Sequence, residues 1–181
     1  ALIVTLIAQV RVNSTFTRYS RTQTVNRVAG AEAADRVARS GGVRRLVIRR
    51  IGGNLTDNFD PRNDTISLSE GVYSSSSISA VGVAAHEAGH AIQKAEGYAP
   101  NQIRAALVPV TNFGSRLSMP LIIIGLILPV QYDFVVYAGI ILYSLVVLFQ
   151  LVTLPVEFNA SSRAIRALDS TGILYPDELE G

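Results

Sequence analysis

Cysteine is absent from the 181 residues, histidine occurs only twice and lysine only once. Without a thiol, a disulfide framework, a Cys-ligated zinc ribbon, an iron-sulfur site and a thiol nucleophile are all excluded. Any metal must be held by His, Asp or Glu. Charge is scarce too: 17% of the residues are charged, against roughly 25% in soluble globular domains. Hydrophobic residues make up 49% and the mean hydropathy is +0.32, which argues against disorder and leans towards a bilayer. No Gly-rich phosphate loop of the Walker or dinucleotide type is present, so nucleotide binding has no motif behind it. The net charge of +2 comes with no dense basic run, and nucleic acid is not expected as a partner.

What is present is an apolar stretch near the C-terminal third. Between Arg116 and Glu157 the single charged residue is Asp133, which leaves uncharged runs of 16 residues, Leu117 to Tyr132, and 23 residues, Phe134 to Val156. About 20 apolar residues cross a bilayer core as a helix. The second run meets that length, and the first does so if it begins near Ala105 with Arg116 reaching to the interface. Pro120, Gly125 and Pro129 suggest a kink in it. The pattern predicts a transmembrane helical hairpin over 105–156. Ala1 to Val10 reads as the end of a further membrane helix, and both chain ends read as cuts through a longer protein. Residues 11 to 116 carry 14 basic and 8 acidic side chains, while the turn around Asp133 has no Lys or Arg. Positive charge stays on the cytoplasmic side, so the polar part and residues 157–181 are expected there, in a multi-pass protein of the cell membrane.

In the polar part, residues 11–104, Gly30 to Ser40 has helix-forming residues and ends at Gly41-Gly42. Leu46 to Ile51 and Thr65 to Ser69 read as strands on either side of the turn Asp60-Pro61-Arg62-Asn63-Asp64. Ser residues from 74 to 77 offer an N-cap. Ile78, Val81, Ala85, Ala88 and Ile92 follow at helical spacing, predicting a helix from Ile78 to Glu96 stopped by Gly97.

That helix carries His86-Glu87-Ala88-Gly89-His90, with both histidines of the chain. A spacing of four rotates the second imidazole by only about 40° and lifts it one turn, so both can reach one cation. Glu87 falls beside that cation, where a carboxylate can accept a proton from water. Gly82, Ala85 and Gly89 form a stripe of small residues that another element could approach closely. A catalytic zinc site takes three protein ligands. Downstream carboxylates are Glu96, Asp133, Glu157, Asp169, Asp177, Glu178 and Glu180. Glu157 is favoured because the apolar helix ends on it and returns it to the side of the motif helix.

His86 to Gln93, Gly97-Tyr98-Ala99-Pro100, Val108-Pro109-Val110, the apolar hairpin and Leu151 to Ser161, with Leu55-Thr56-Asp57 and Asp60 to Asn63 upstream, together resemble the bacterial YugP-type membrane zinc metallopeptidases. The resemblance implies a gluzincin-like enzyme with Zn2+ on His86, His90 and Glu157, Glu87 as general base, and a further apolar segment beyond residue 181. It also implies an α+β membrane protein, with a small zincin-like catalytic unit joined to the hairpin and a third-ligand helix in 157–181. HtpX-type and CAAX prenyl proteases are more distantly similar. They carry Asp four residues after the third-ligand Glu, where this chain has Ser161, and a hydroxyl orients a ligand histidine less strongly. In the same families a strand before the motif helix pairs with substrate backbone, and Thr65 to Ser69, with Asp57 to Phe59 before it, would occupy that place. Tyr98, Tyr73 and Arg163 are candidates to stabilise an oxyanion.

The expected activity is endoproteolysis near the membrane, with peptide or protein substrates, membrane proteins among them. FtsH-type proteases share His-Glu-Ala-Gly-His but need an ATPase module and an Asp ligand. A noncatalytic zinc-binding membrane scaffold or assembly factor is a reading of a different class, which the presence of Glu87 disfavours. Intramembrane cleavage is disfavoured by Lys94 and Glu96 on the motif helix.

Overall fold

The computed structural model describes residues 2–179. The elements run α1 (Leu2–Tyr19), α2 (Gly30–Ser40), β1 (Val47–Ile51), β2 (Asn58–Asp60), β3 (Thr65–Ser69), α3 (Glu70–Tyr73), α4 (Ile78–Ala95), α5 (Ala99–Ile127), α6 (Phe134–Ser170) and α7 (Pro176–Leu179). They form two compact units, residues 1–96 with 159–181, and residues 97–158.

The first unit buries an alanine-rich helix pair against a small sheet. Ala33, Ala34, Val37 and Ala38 of α2 face Ala80, Val81, Ala84, Ala85 and Ala88 of α4, and these short side chains let the two helices pack extensively. Gly30 to Ser40 is helical as predicted. Ile66 and Leu68 of β3 add the largest fully buried side chains. From Asn159 onward α6 belongs to the same unit, burying Ala164, Ala167 and Leu168, and Ile173 and Leu174 follow it into the core. The segment before α2 is tied to this end of the chain. Glu178 accepts the amide N–H groups of Val25 and Tyr175, and Asn26 donates to the Gly172 and Ile173 carbonyls.

The sheet has the order β1-β3-β2, with β3 parallel to β1 and antiparallel to β2. Thr65–Ser69 is therefore the central strand, buried along its whole length. This corrects the expectation that a substrate backbone pairs with it, because both of its edges are already hydrogen-bonded to neighbours. β2, which holds Asn58 and Phe59 of the adjoining segment, is an edge strand.

The second unit is a helical hairpin. Ala99–Ile127 and Val130–Ser170 are long and apolar enough to cross a membrane, and only 17% and 6% of their apolar stretches is buried. A core helix of a water-soluble protein would hide such a surface. Pro109 and Pro120 lie inside α5, while Pro129 opens the single 3-10 turn, Val130–Tyr132, that joins α5 to α6. The two helices approach through small residues. A Cβ on Gly139 would lie 2.9 Å from the Ser118 carbonyl oxygen, and one on Gly125 would lie 2.8 Å from the Val136 nitrogen. Close backbone contact at Gly and Ser is how helices pack where lipid removes the hydrophobic drive between them.

Candidate metal centre

α4 is fixed at both ends by its own sequence. The Ser77 hydroxyl accepts the Ala80 amide as N-cap, and the chain leaves the helix at Gly97, whose φ of 66° favours a residue without a Cβ. Between them the apolar face locks into the first unit, so His86 and His90 project from a rigid element. Their rings lie 4.8 Å apart at 88°. His90 is 8% exposed, whereas His86 and Glu87 are half-buried.

The C-terminal part of α6 crosses α4 at Gly89, where a Cβ would sit 2.5 Å from the Ala160 carbonyl oxygen. The small stripe predicted on α4 serves this approach at Gly89, while Gly82 faces open space. The close crossing brings α6 side chains onto the histidines. Ser161 Oγ is 3.1 Å from His86 Nδ1. Gln93, fully buried, lies with Oε1 3.0 Å from His90 Nδ1 and donates from Nε2 to Asn159 Oδ1 at 3.0 Å. With Nδ1 engaged on both rings, Nε2 is the nitrogen each would present to a metal.

Glu157 precedes Ser161 by one turn on the same uninterrupted helix. One ligand atom each from His86, His90 and Glu157 lies within 4.8 Å of the others, a group that could hold a metal ion. Arg104 Nη1 is 3.1 Å from Glu157 Oε1. Two imidazole nitrogens and a carboxylate oxygen are ligands zinc accepts, and three protein ligands leave a fourth position for water or substrate. The donor set fits the metal.

The other carboxylates predicted as alternatives are placed elsewhere. Glu96 accepts Arg163 Nη1 at 2.6 Å, and Glu178 is spent on the two backbone amides. Asp169 and Asp177 are exposed, Asp133 is in the hairpin turn, and Glu180 lies outside the described residues. Of the proposed oxyanion donors, Tyr73 packs against the core, Arg163 is engaged by Asn159 and Glu96, and Tyr98 is the N-cap residue of α5. Sequence reasoning assigned no role to Gln93 or Asn159. The one available signal was a long amide three residues after the second motif histidine, within reach of its ring on the helix.

The family model described as "Putative neutral zinc metallopeptidase" matches residues 1–181. The chain is 41% identical, over all 181 of its residues and 80% of the other protein, to the "Putative membrane protease YugP" of Bacillus subtilis strain 168. No solved structure matches. Matched over its whole length, and with a donor set suited to the metal, the chain belongs to this neutral zinc metallopeptidase family.

Proposed function

We propose that the chain is a membrane-anchored zinc endopeptidase of gluzincin type, with His86, His90 and Glu157 as the metal ligands and Glu87 as the general base. The observation that carries this reading is that one ligand atom each from His86, His90 and Glu157 lies within 4.8 Å of the others, with Glu87 following His86 in the chain. Zinc, when bound, supplies Lewis acidity that polarises a peptide carbonyl and acidifies water. Glu87 sits next to His86 on α4, held in place by the packed face of that helix. Its carboxylate takes a proton from the attacking water as the new C–O bond forms, and passes it to the amide nitrogen as the C–N bond breaks. β2 offers an unpaired edge along which an extended substrate can add as a strand.

Glu87→Gln is expected to keep zinc and fold while losing about 10²–10⁴-fold in peptide hydrolysis. Glu157→Ala should lose zinc as well as activity, because two imidazoles alone complete neither charge nor geometry. Near-normal turnover of Glu87→Gln, or one equivalent of zinc in fully active Glu157→Ala, refutes the assigned roles. Zinc bound with no hydrolysis by the unaltered chain across a peptide library would favour a noncatalytic scaffold.

The proposed orientation, multi-pass with the site in the cytoplasm, rests on the excess of arginine in residues 11–116 and its absence from the hairpin turn. The cysteine-free sequence makes this simple to check. An impermeant thiol reagent added to intact cells should label Asp133→Cys and spare Arg62→Cys. The reverse pattern would invert the topology.

A further inference from the structure

Gln93 and Asn159 can each present either an oxygen or an NH2 to a neighbour, so taken alone neither fixes the hydrogen-bond polarity at His90. Arg163 removes the choice. A guanidinium has only donors, and Arg163 Nε donates to Asn159 Oδ1 at 2.7 Å. The same oxygen accepts Gln93 Nε2 at 3.0 Å, which turns Gln93 Oε1 towards His90 Nδ1. An amide oxygen only accepts, so Nδ1 must carry the ring proton and Nε2 must carry the lone pair. Glu96 completes the chain by accepting Arg163 Nη1 at 2.6 Å, which holds the guanidinium from behind. All five residues belong to the first compact unit. Gln93 is fully buried and Arg163 keeps 17% of its side-chain surface, so water competes little for these bonds.

We propose that Arg163 is a positioning residue that sets the tautomer of His90 through Asn159 and Gln93, presenting Nε2 to the metal before the metal arrives. The functional meaning rests on the reading of His90 as a zinc ligand, whereas the tautomer itself does not. His86 provides an internal contrast. Its Nδ1 meets the Ser161 hydroxyl, which donates or accepts with equal ease, so this bond does not by itself choose the ring's proton.

The experiment is 15N NMR of the full chain in micelles, metal-free, labelled at histidine and held at alkaline pH where the rings are neutral. Only two imidazoles contribute, and His86→Asn assigns them. His90 is expected with its proton on Nδ1. Arg163→Leu should shift its population towards the Nε2–H form that a free imidazole prefers in water. Adding Gln93→Glu to Arg163→Leu should restore Nδ1–H, because a carboxylate accepts whichever way it turns. Zinc affinity should follow the tautomer, falling on the order of tenfold in Arg163→Leu and recovering in the double variant.

A proton on Nε2 of His90 in the unaltered protein, or a tautomer that Arg163→Leu leaves in place, overturns the proposal. Failure to restore Nδ1–H in the double variant, while circular dichroism shows its helices intact, overturns it too. The proposed function fails differently. If His90 holds its proton on Nδ1 as expected and its signals do not respond to added zinc, the tautomer control stands and the metal-ligand role does not.

Discussion

The two units of this chain solve opposite burial problems. The first hides Ile66, Leu68, Val72, Val81 and a set of alanines, and where it buries a carboxylate, at Glu178, two backbone amides donate to it. The second turns that order inside out. Its buried residues are Gly114, Ser118, Gly125, Gly139 and Val156, while Leu126, Ile127, Phe134 and Phe158 are 65% exposed or more. Hydrophobic groups go inside when the surroundings are water. When the surroundings are hydrocarbon nothing is gained by hiding them, and small residues that allow close backbone approach define the interior instead. The difference is the one expected if the first part faces water and the second, whose two helices are long and apolar enough to cross a membrane, faces lipid.

The largest effect expected from testing that contrast comes from one negative charge placed in each unit. Val81→Asp puts an unpaired carboxylate at a position with no exposure. It should cost several kcal/mol and unfold the first unit. Leu145→Asp lies near the middle of the longer apolar run at a site 44% exposed. In water such a change would fall within about 0.5 kcal/mol of neutral. In a bilayer it should cost about 2.5–3.5 kcal/mol of insertion, seen as loss from the membrane fraction. Unchanged membrane partition of Leu145→Asp would break the comparison.

A second pair asks whether close helix approach matters equally on both sides. Gly89→Val would press a side chain against the Ala160 carbonyl, and Gly139→Val would do the same at Ser118. Ile122 Cγ1 also lies 2.7 Å from a Cβ on Gly139, but at both sites backbone atoms that cannot swing away are within 3.0 Å, so each should cost about 1–3 kcal/mol. The consequences separate. Gly89→Val pushes the segment carrying Asn159, Ser161 and Arg163 off α4 and should reduce zinc retention. Gly139→Val should disturb hairpin assembly, read as sensitivity to proteolysis in membranes. Full zinc retention by Gly89→Val would show that the α4–α6 crossing does not hold the histidines.

Local patterns made much of this legible. The Gly-Gly stop of α2, the Ser77 cap and periodicity of α4, the span of β3 and the turn of the hairpin all follow from residues close together in sequence. So did His86, Glu87 and His90, whose spacing is a property of one helix. The parts that escaped depend on distant partners. β2 is three residues, Asn58, Phe59 and Asp60; Asp60 and Pro61 read as the start of a turn, and nothing local marks Asn58 and Phe59 as a strand paired with β3. α3 is a single turn. The central place of β3 is fixed by β1 on its other edge, and alternation along one strand carries no information about how many neighbours it has. The Gln93 to Asn159 bond joins residues 66 apart in the chain. Only the crossing at Gly89 makes it possible.

The smallest effect separates two glycines of one helix. Gly82, Gly89 and Ala85 look alike as a small-residue stripe, yet a Cβ on Gly82 meets nothing within 4 Å while one on Gly89 meets backbone. Gly82 precedes His86 by four residues and so shares its face. In a helix interior glycine is less favourable than alanine by roughly 0.5–1 kcal/mol, because more backbone freedom is lost on folding. Gly82→Ala should therefore stabilise the protein by about that amount in thermal unfolding, with zinc content unchanged, in opposition to Gly89→Val. If zinc binding and unfolding behave as expected but KM for a peptide substrate rises, the open space over Gly82 is part of the path the substrate takes. If Gly82→Ala destabilises the protein, the stripe is a packing surface along its whole length and the distinction between the two glycines is lost.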